Sequence, residues 1–211
     1  MSRSTGHSIQ LPRLLVATTN PGKIREIAGI LDSLAVELVS LSEFPHVEEP
    51  EETGTTFEEN ARLKALYYHR ATGLPSVADD SGLEIEALGG APGIHSARWE
   101  GTDYSIKFHK IYELLDARNA RGSRARFVCR LALADNGRIA FESEGVIEGT
   151  IADEPRGDKG FGYDPIFFYP PLGRTTAELD RGLKATVSHR GKAFAQLREY
   201  LLHAEGPRRT D

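Results

Sequence analysis

The chain has 211 residues, 39% hydrophobic and 27% charged, with a formal net charge of −5. That length and mix suit one soluble domain, single or two-lobed, and the acidic balance lacks the basic footprint of a general nucleic-acid binder. A single cysteine, Cys129, excludes an intrachain disulfide or a cysteine-built zinc site and suits a reducing cytosol.

Residues 1–12 are polar and small, without the apolar centre of a signal peptide, and read as a disordered extension. Residues 205–211 read as a flexible tail, which leaves 13–204 as the folded body. No apolar stretch approaches the about 20 residues of a membrane span. Leu14 to Thr18 predicts a buried strand. Asn20 then suits an N-cap and Pro21 the first position of a helix carrying Ile24, Ile27, Ile30 and Leu31. Val36 to Leu41 is a second strand, giving a βαβ start. Thr56-Phe57-Glu58-Glu59 is a capping-box signature for a helix to about Arg70, closed by Gly73 and Pro75. A short strand from Ser76 stops at Asp79-Asp80-Ser81-Gly82, and Leu83 to Leu88 alternates like another strand. Gly89 to Gly93 is a loop, and Ile106 to Leu115 an amphipathic helix. Arg124–Ala134 and Arg138–Val146 flank Asp135-Asn136-Gly137, a strong hairpin signal, and the second strand continues to Ile151. A glycine-rich segment, Gly157 to Gly162, precedes the apolar Ile166–Phe168. A last helix runs from Ser188 or His189 to Leu202. Parallel βα units followed by a hairpin predict an α/β fold, a mixed sheet flanked by helices.

Five segments carry chemistry, each with a bland alternative. Asp79 and Asp80 at a strand end repel one another and lose solvation, which a hard cation such as Mg²⁺ would relieve; the same residues are good turn formers. The turn Thr18 to Lys23 joins a helix N-terminus to a lysine, suiting a polyphosphate, or is an ordinary capped helix. It is neither a Walker A loop nor a dinucleotide fingerprint. Glu48, Glu49, Glu51 and Glu52 are a solvated run or a second source of metal-binding carboxylate, with Glu51 and Glu59 the candidates. Phe161 and Tyr163 around Gly162 could sandwich a base, with Asp164 at its edge, or pack in the core. Lys184, His189 and Arg190 supply donors for carbonyl or phosphate oxygens, and the helix dipole disfavours leaving such cations unpaired at a helix start.

Together and in this order, Thr18–Lys23, Glu51-Glu52-Thr53-Gly54 with Phe57–Ala61, Ala78–Leu83, Gly89–Arg98, Phe161–Pro165 and Ser188–Gly191 resemble the noncanonical purine nucleoside triphosphate pyrophosphatases, also called inosine or xanthosine triphosphate pyrophosphatases. The resemblance spans about Leu14 to Leu202. It implies two lobes around a cleft, Mg²⁺-dependent hydrolysis of ITP, dITP and XTP to monophosphate and pyrophosphate, a homodimer, and a cytoplasmic setting without nucleic-acid or membrane partners. By that resemblance Thr18, Thr19, Asn20, Pro21, Gly22 and Lys23 hold the triphosphate. Asp80 matches the proton acceptor and metal ligand, Glu51 a further metal carboxylate, and Ser81 a substrate contact. Phe161, Gly162, Tyr163, Asp164, Lys184, His189 and Arg190 match nucleotide- and base-binding positions. The alternatives are a pyrophosphatase for methylated pyrimidine triphosphates, a noncatalytic nucleotide-binding regulator, and a nucleic-acid module resting on the basic run Arg118 to Arg126, which reads better as a solvated loop. Arg98 faces either a phosphate or a structural salt bridge.

Overall fold

In the computed structural model, which describes residues 12–204, the chain opens with β1 (Arg13–Val16), α1 (Pro21–Leu31) and β2 (Glu37–Ser40). Residues 1–11 of the extension expected for 1–12, and the tail expected for 205–211, lie outside the described residues. Asn20 caps α1 as expected, its Oδ1 accepting from the N–H groups of Gly22 (2.8 Å) and Lys23 (3.2 Å). Then follow α2 (Phe57–Thr72), β3 (Ser76–Ile85), α3 (Tyr104–Asp116), β4 (Arg124–Asp135) and β5 (Arg138–Ile151). The β4–β5 hairpin turns at Asn136 (φ 50°) and Gly137 (φ 75°), two consecutive left-handed residues that match the strands' twist. The chain ends with β6 (Phe167–Tyr169), β7 (Arg174–Thr175), α4 (Arg181–Val187) and α5 (His189–Ala204). Neither β7 nor α4 was expected from the sequence; Lys184 lies within α4.

The seven strands form one mixed sheet in the order β2-β1-β3-β4-β5-β6-β7. β1 runs parallel to β2 and β3, and the remaining neighbours are antiparallel. One face buries Ile27 and Leu31 of α1 and Phe194 and Leu197 of α5 against Val16, Val77 and Leu131. The opposite face buries Ala61, Ala65 and Tyr68 of α2 against Leu15, Val39 and Ala132. A separate core lies farther along β3–β5, where Leu83, Ile85, Phe127 and Ile147 meet Ile111 and Leu115 of α3 and Phe167 of β6. At about 1.5–3 kcal/mol per large apolar side chain buried, these cores dominate the favourable side of folding.

The Asp79–Gly82 segment is not a turn. β3 is one ten-residue strand, paired with β4 from Ser76↔Ala134 to Ile85↔Ala125. The strand runs on through the two carboxylates, which meet cations on opposite sheet faces. β1, by contrast, pairs with β3 only through Leu15↔Ser76 and Val16↔Val77 before the chain leaves for α1. Farther along, the same edge of β3 is covered by another segment: Leu83 N–H donates to Ser96 Oγ and Ile85 N–H to the Ala91 carbonyl. The gap between these two coverings is the mouth of a cleft.

Candidate active site

A cavity of about 260 Å³ fills this cleft, with Asp79, Asp80 and Ser81 in its wall. The pleat of β3 sends successive side chains to opposite faces. Asp79 points towards α1 and α5, where Oδ2 meets Lys23 Nζ at 3.0 Å and Arg190 Nη2 at 3.1 Å. Burial would raise its pKa, but Lys23 and Arg190 hold it far below the usual carboxylate range. Asp80 points towards α2, where Lys64 Nζ donates to Oδ1 at 3.1 Å and Asn60 Nδ2 to Oδ2 at 3.2 Å. Here burial wins over the nearby lysines, and the Asp80 pKa is raised. Ser81 returns to the α5 face and accepts from Arg190 Nη2 at 2.7 Å.

Lys64 also donates to Glu52 Oε1 at 2.7 Å, and the other oxygen of Glu52 receives Arg98. Burial pushes the Glu52 pKa up, but Lys64 and then Arg98 hold it below the ordinary value. At the opposite end of the cleft, Arg190 Nη1 reaches Glu26 Oε2 at 2.7 Å and Lys184 Nζ reaches Glu26 Oε1 at 2.6 Å. Lys184 also pairs with Asp164 Oδ2. The result is a buried chain of alternating charge, Lys23–Asp79–Arg190–Glu26–Lys184–Asp164. His189 stacks on Phe127 (4.7 Å between centroids, 17° between planes), and its buried Nδ1 has no protein partner. Burial, with Arg190 and Lys184 beside it, pulls its pKa well below the ordinary value, so the ring is neutral.

The structure brings most of the expected residues to this cavity, with local differences. Thr18, Thr19, Asn20 and Lys23 line it, whereas Pro21 is exposed and Gly22 lies against the Phe161 ring. Because Asn20 takes the Gly22 and Lys23 N–H groups, the cradle offers the helix dipole and Lys23 rather than a row of free amides. Phe161 and Gly162 line the cavity, and Lys184 Nζ stands 5.0 Å from the Phe161 ring centroid. Tyr163 does not pair with Phe161 as a sandwich: its ring is buried edge-on against Tyr104, and its hydroxyl donates to the Ser96 carbonyl at 2.9 Å. Nor does Asp164 present a free edge, since it accepts from Phe161 N–H (2.7 Å), Thr176 Oγ1 (2.8 Å) and Lys184. Glu51 is exposed and outside the cavity wall, while its neighbour Glu52 lies in it. Glu59 faces away too, accepting from the Thr55 N–H and hydroxyl.

The sequence model of the Ham1 family matches residues 14–200. The chain belongs to the Ham1 family. It is 49% identical to a dITP/XTP pyrophosphatase of Exiguobacterium over 186 residues, 88% of this chain and 94% of that protein. It is 47% identical to a dITP/XTP pyrophosphatase of Geobacter sulfurreducens, over 90% and 97% of the two chains. The solved structure of a HAM1 protein from Coxiella burnetii superposes with a TM-score of 0.83 at 42% identity, covering 90% of this chain and 98% of that one.

Two residues central to this Ham1-family cleft, Lys64 and Glu26, were not singled out from sequence, and Glu52 was named only within the acidic run, where Glu51 and Glu59 were the candidates. A lysine on the mostly apolar inner face of α2, beside Ala61, Ala65 and Tyr68, was the available signal for Lys64. Among the described residues no group of three or more His, Cys, Asp or Glu side chains is gathered as a metal site. Mg²⁺ does not demand one, because it keeps several waters and binds through one or two carboxylates plus substrate phosphates. Asp80 and Glu52 fit that role: both already converge on one cation, the Lys64 ammonium, and Asp80 remains short of positive charge.

Proposed function

We propose that this chain hydrolyses noncanonical purine nucleoside triphosphates (ITP, dITP and XTP) to the monophosphate and pyrophosphate, with Mg²⁺, keeping them out of DNA and RNA. The observation that carries this is the joining, in one cleft, of a cationic helix start, a carboxylate with a raised pKa, and a donor-rich end beside the Phe161 ring. The names of the relatives point the same way.

At the phosphate end, Lys23 and the N-terminus of α1 neutralise the departing pyrophosphate, and Lys64 and Arg98 stand on the facing wall. When bound, Mg²⁺ held by Asp80 and Glu52 supplies Lewis-acid polarisation of the phosphate oxygens. Asp80 takes the proton of the attacking water. Its raised pKa lies nearer the working pH than that of an ordinary carboxylate, so it is the better base when ionised. Asp79, pinned by Lys23 and Arg190, remains ionised and holds those two cations in place.

At the base end, Phe161 offers a stacking face, worth about 1–3 kcal/mol to a purine. Lys184 and Arg190 are obligatory donors. They match the 6-oxo acceptor of hypoxanthine and xanthine and oppose the 6-amino group of adenine, a buried mismatch of about 1–3 kcal/mol. Neutral His189 adds a ring nitrogen without a further positive charge. We also propose a homodimer as the working form, which light scattering tests, a monomer at all concentrations removing it. The reducing cytoplasm, which a single free Cys129 suits, is the proposed compartment; among the described residues no helix is long and apolar enough to cross a membrane.

The deciding experiment measures pyrophosphate release from ITP, dITP, XTP, GTP, ATP and dTTP with Mg²⁺. Turnover of ITP, dITP and XTP should exceed that of ATP by at least about tenfold, the rate equivalent of the buried mismatch. Equal turnover of ATP removes the specificity; no turnover of any removes the enzyme.

A further inference from the structure

Lys107, on α3, is completely buried, and no carboxylate among the described residues pairs with it. Its ammonium donates instead to two successive backbone carbonyls, Ser96 at 3.0 Å and Ala97 at 2.7 Å. It also stands over the rings of Tyr104 (4.5 Å) and Tyr163 (5.7 Å). A buried ammonium without a counter-ion is expensive, and an apolar side chain of the same length would fill the space. What the charge secures is the segment Gly93–Trp99. The Ser96 carbonyl receives Lys107 and the Tyr163 hydroxyl together, and Ser96 Oγ accepts from Leu83 N–H on β3. The segment also lies against β3 beside Ser81, where a Cβ on Gly82 would come within 2.4 Å of the Gly93 carbonyl oxygen. Arg98 follows directly, tied by its N–H to the His95 carbonyl and by its side chain to Glu52.

We propose that Lys107 is a positioning residue: from behind the cleft wall it fixes the Ser96–Ala97 carbonyls, and through them sets Arg98 at the phosphate end and Tyr163 at the base end. The anchoring is a property of the free protein, whereas its consequence for substrate rests on the cleft being a nucleoside triphosphate site. One ammonium thereby joins α3, the 93–99 segment and the 161–164 segment, so its loss should loosen binding groups without touching Asp80.

The chain has one tryptophan, Trp99, next to Arg98 and packed on the α3 core, so its emission reports this segment alone. Lys107→Met keeps the aliphatic stem and removes the donors; Lys107→Arg keeps donors able to reach both carbonyls. In the folded Met variant Trp99 emission should shift to the red, and KM for ITP should rise about tenfold with kcat within about threefold, while the Arg variant recovers both. Four results overturn the proposal: unchanged Trp99 emission in the Met variant, a fall in kcat with KM unchanged, failure of the Met variant to fold, or an Arg variant no better than Met. Trp99 emission is read without substrate, so it decides the anchoring even if the chain does not hydrolyse ITP.

Discussion

Asp79 and Asp80 are adjacent in the chain and opposite in electrostatic fate. The folded pKa of Asp79 is depressed by Lys23 and Arg190 against the pull of burial, so its contribution to stability is present above the ordinary carboxylate pKa of about 3.9 and lost as pH falls through the folded value. Asp80 is the reverse. Burial raises its folded pKa, so its contribution is present below about 3.9 and lost as pH rises through the folded value. Ionising Asp80 therefore costs the fold stability. Asp80→Asn should leave the melting temperature unchanged or higher while lowering kcat at least about a hundredfold. Asp79→Asn should destabilise the protein by about 3–5 kcal/mol, because buried Arg190 and half-buried Lys23 lose their shared partner. Calorimetry at pH 7 with parallel rate measurements checks both, and a melting temperature several degrees lower in Asp80→Asn would refute the assignment. The sequence shows two neighbouring carboxylates. It does not show their divergence, which requires the strand to run straight through Ser81 and Gly82 where turn-forming residues suggest a stop.

Among the elements, α1 does the most for the cleft and was the most legible. Asn20, Pro21 and the Ile24–Leu31 spacing specify its start and its buried face by local rules. Gly22 has a second purpose, invisible to those rules: a Cβ there would lie 2.6 Å from the Phe161 ring. Gly22→Ala gains about 0.5–1 kcal/mol of helix propensity, and overpacking against Phe161 works against that gain by about 1–3 kcal/mol. Stability should change little, while the displaced stacking face should raise KM for ITP about tenfold. Steady-state kinetics beside thermal melts tests this; a normal KM would mean that Phe161 does not present the base platform. The less legible elements lack such local codes. α4 is seven residues long with a glycine second, and its Lys184 is placed by Glu26 and Asp164, both distant in sequence. The Glu48–Glu52 run has no period at all, so choosing Glu52 over Glu51 depends on Lys64 reaching across from α2.

For the whole molecule, the chain Lys23–Asp79–Arg190–Glu26–Lys184–Asp164 is the device that joins the two ends of the cleft. Its parts come from α1, β3, α4, α5 and the turn after Gly160, and only folding of the entire sheet assembles them. Glu26 is the link on which the others depend, because its two oxygens divide between Arg190 and Lys184. Burial alone would raise its pKa, but Arg190 and Lys184 hold it below the ordinary glutamate value. Its stabilisation is thus present above the unfolded value of about 4.3 and lost as pH falls through the folded one, in the same direction as for Asp79. Glu26→Gln keeps the shape and removes the charge, leaving two buried cations with less compensation. Urea unfolding at pH 7 should show a loss of about 3 kcal/mol, shrinking as pH is lowered and the wild-type carboxylates protonate. The same substitution frees Arg190 and Lys184 from a common anchor, so KM for ITP should rise while the distant Asp80 end keeps its pH dependence. A stability loss that does not shrink in acid would assign Glu26 a packing role, and an unchanged KM would detach the ionic chain from base recognition.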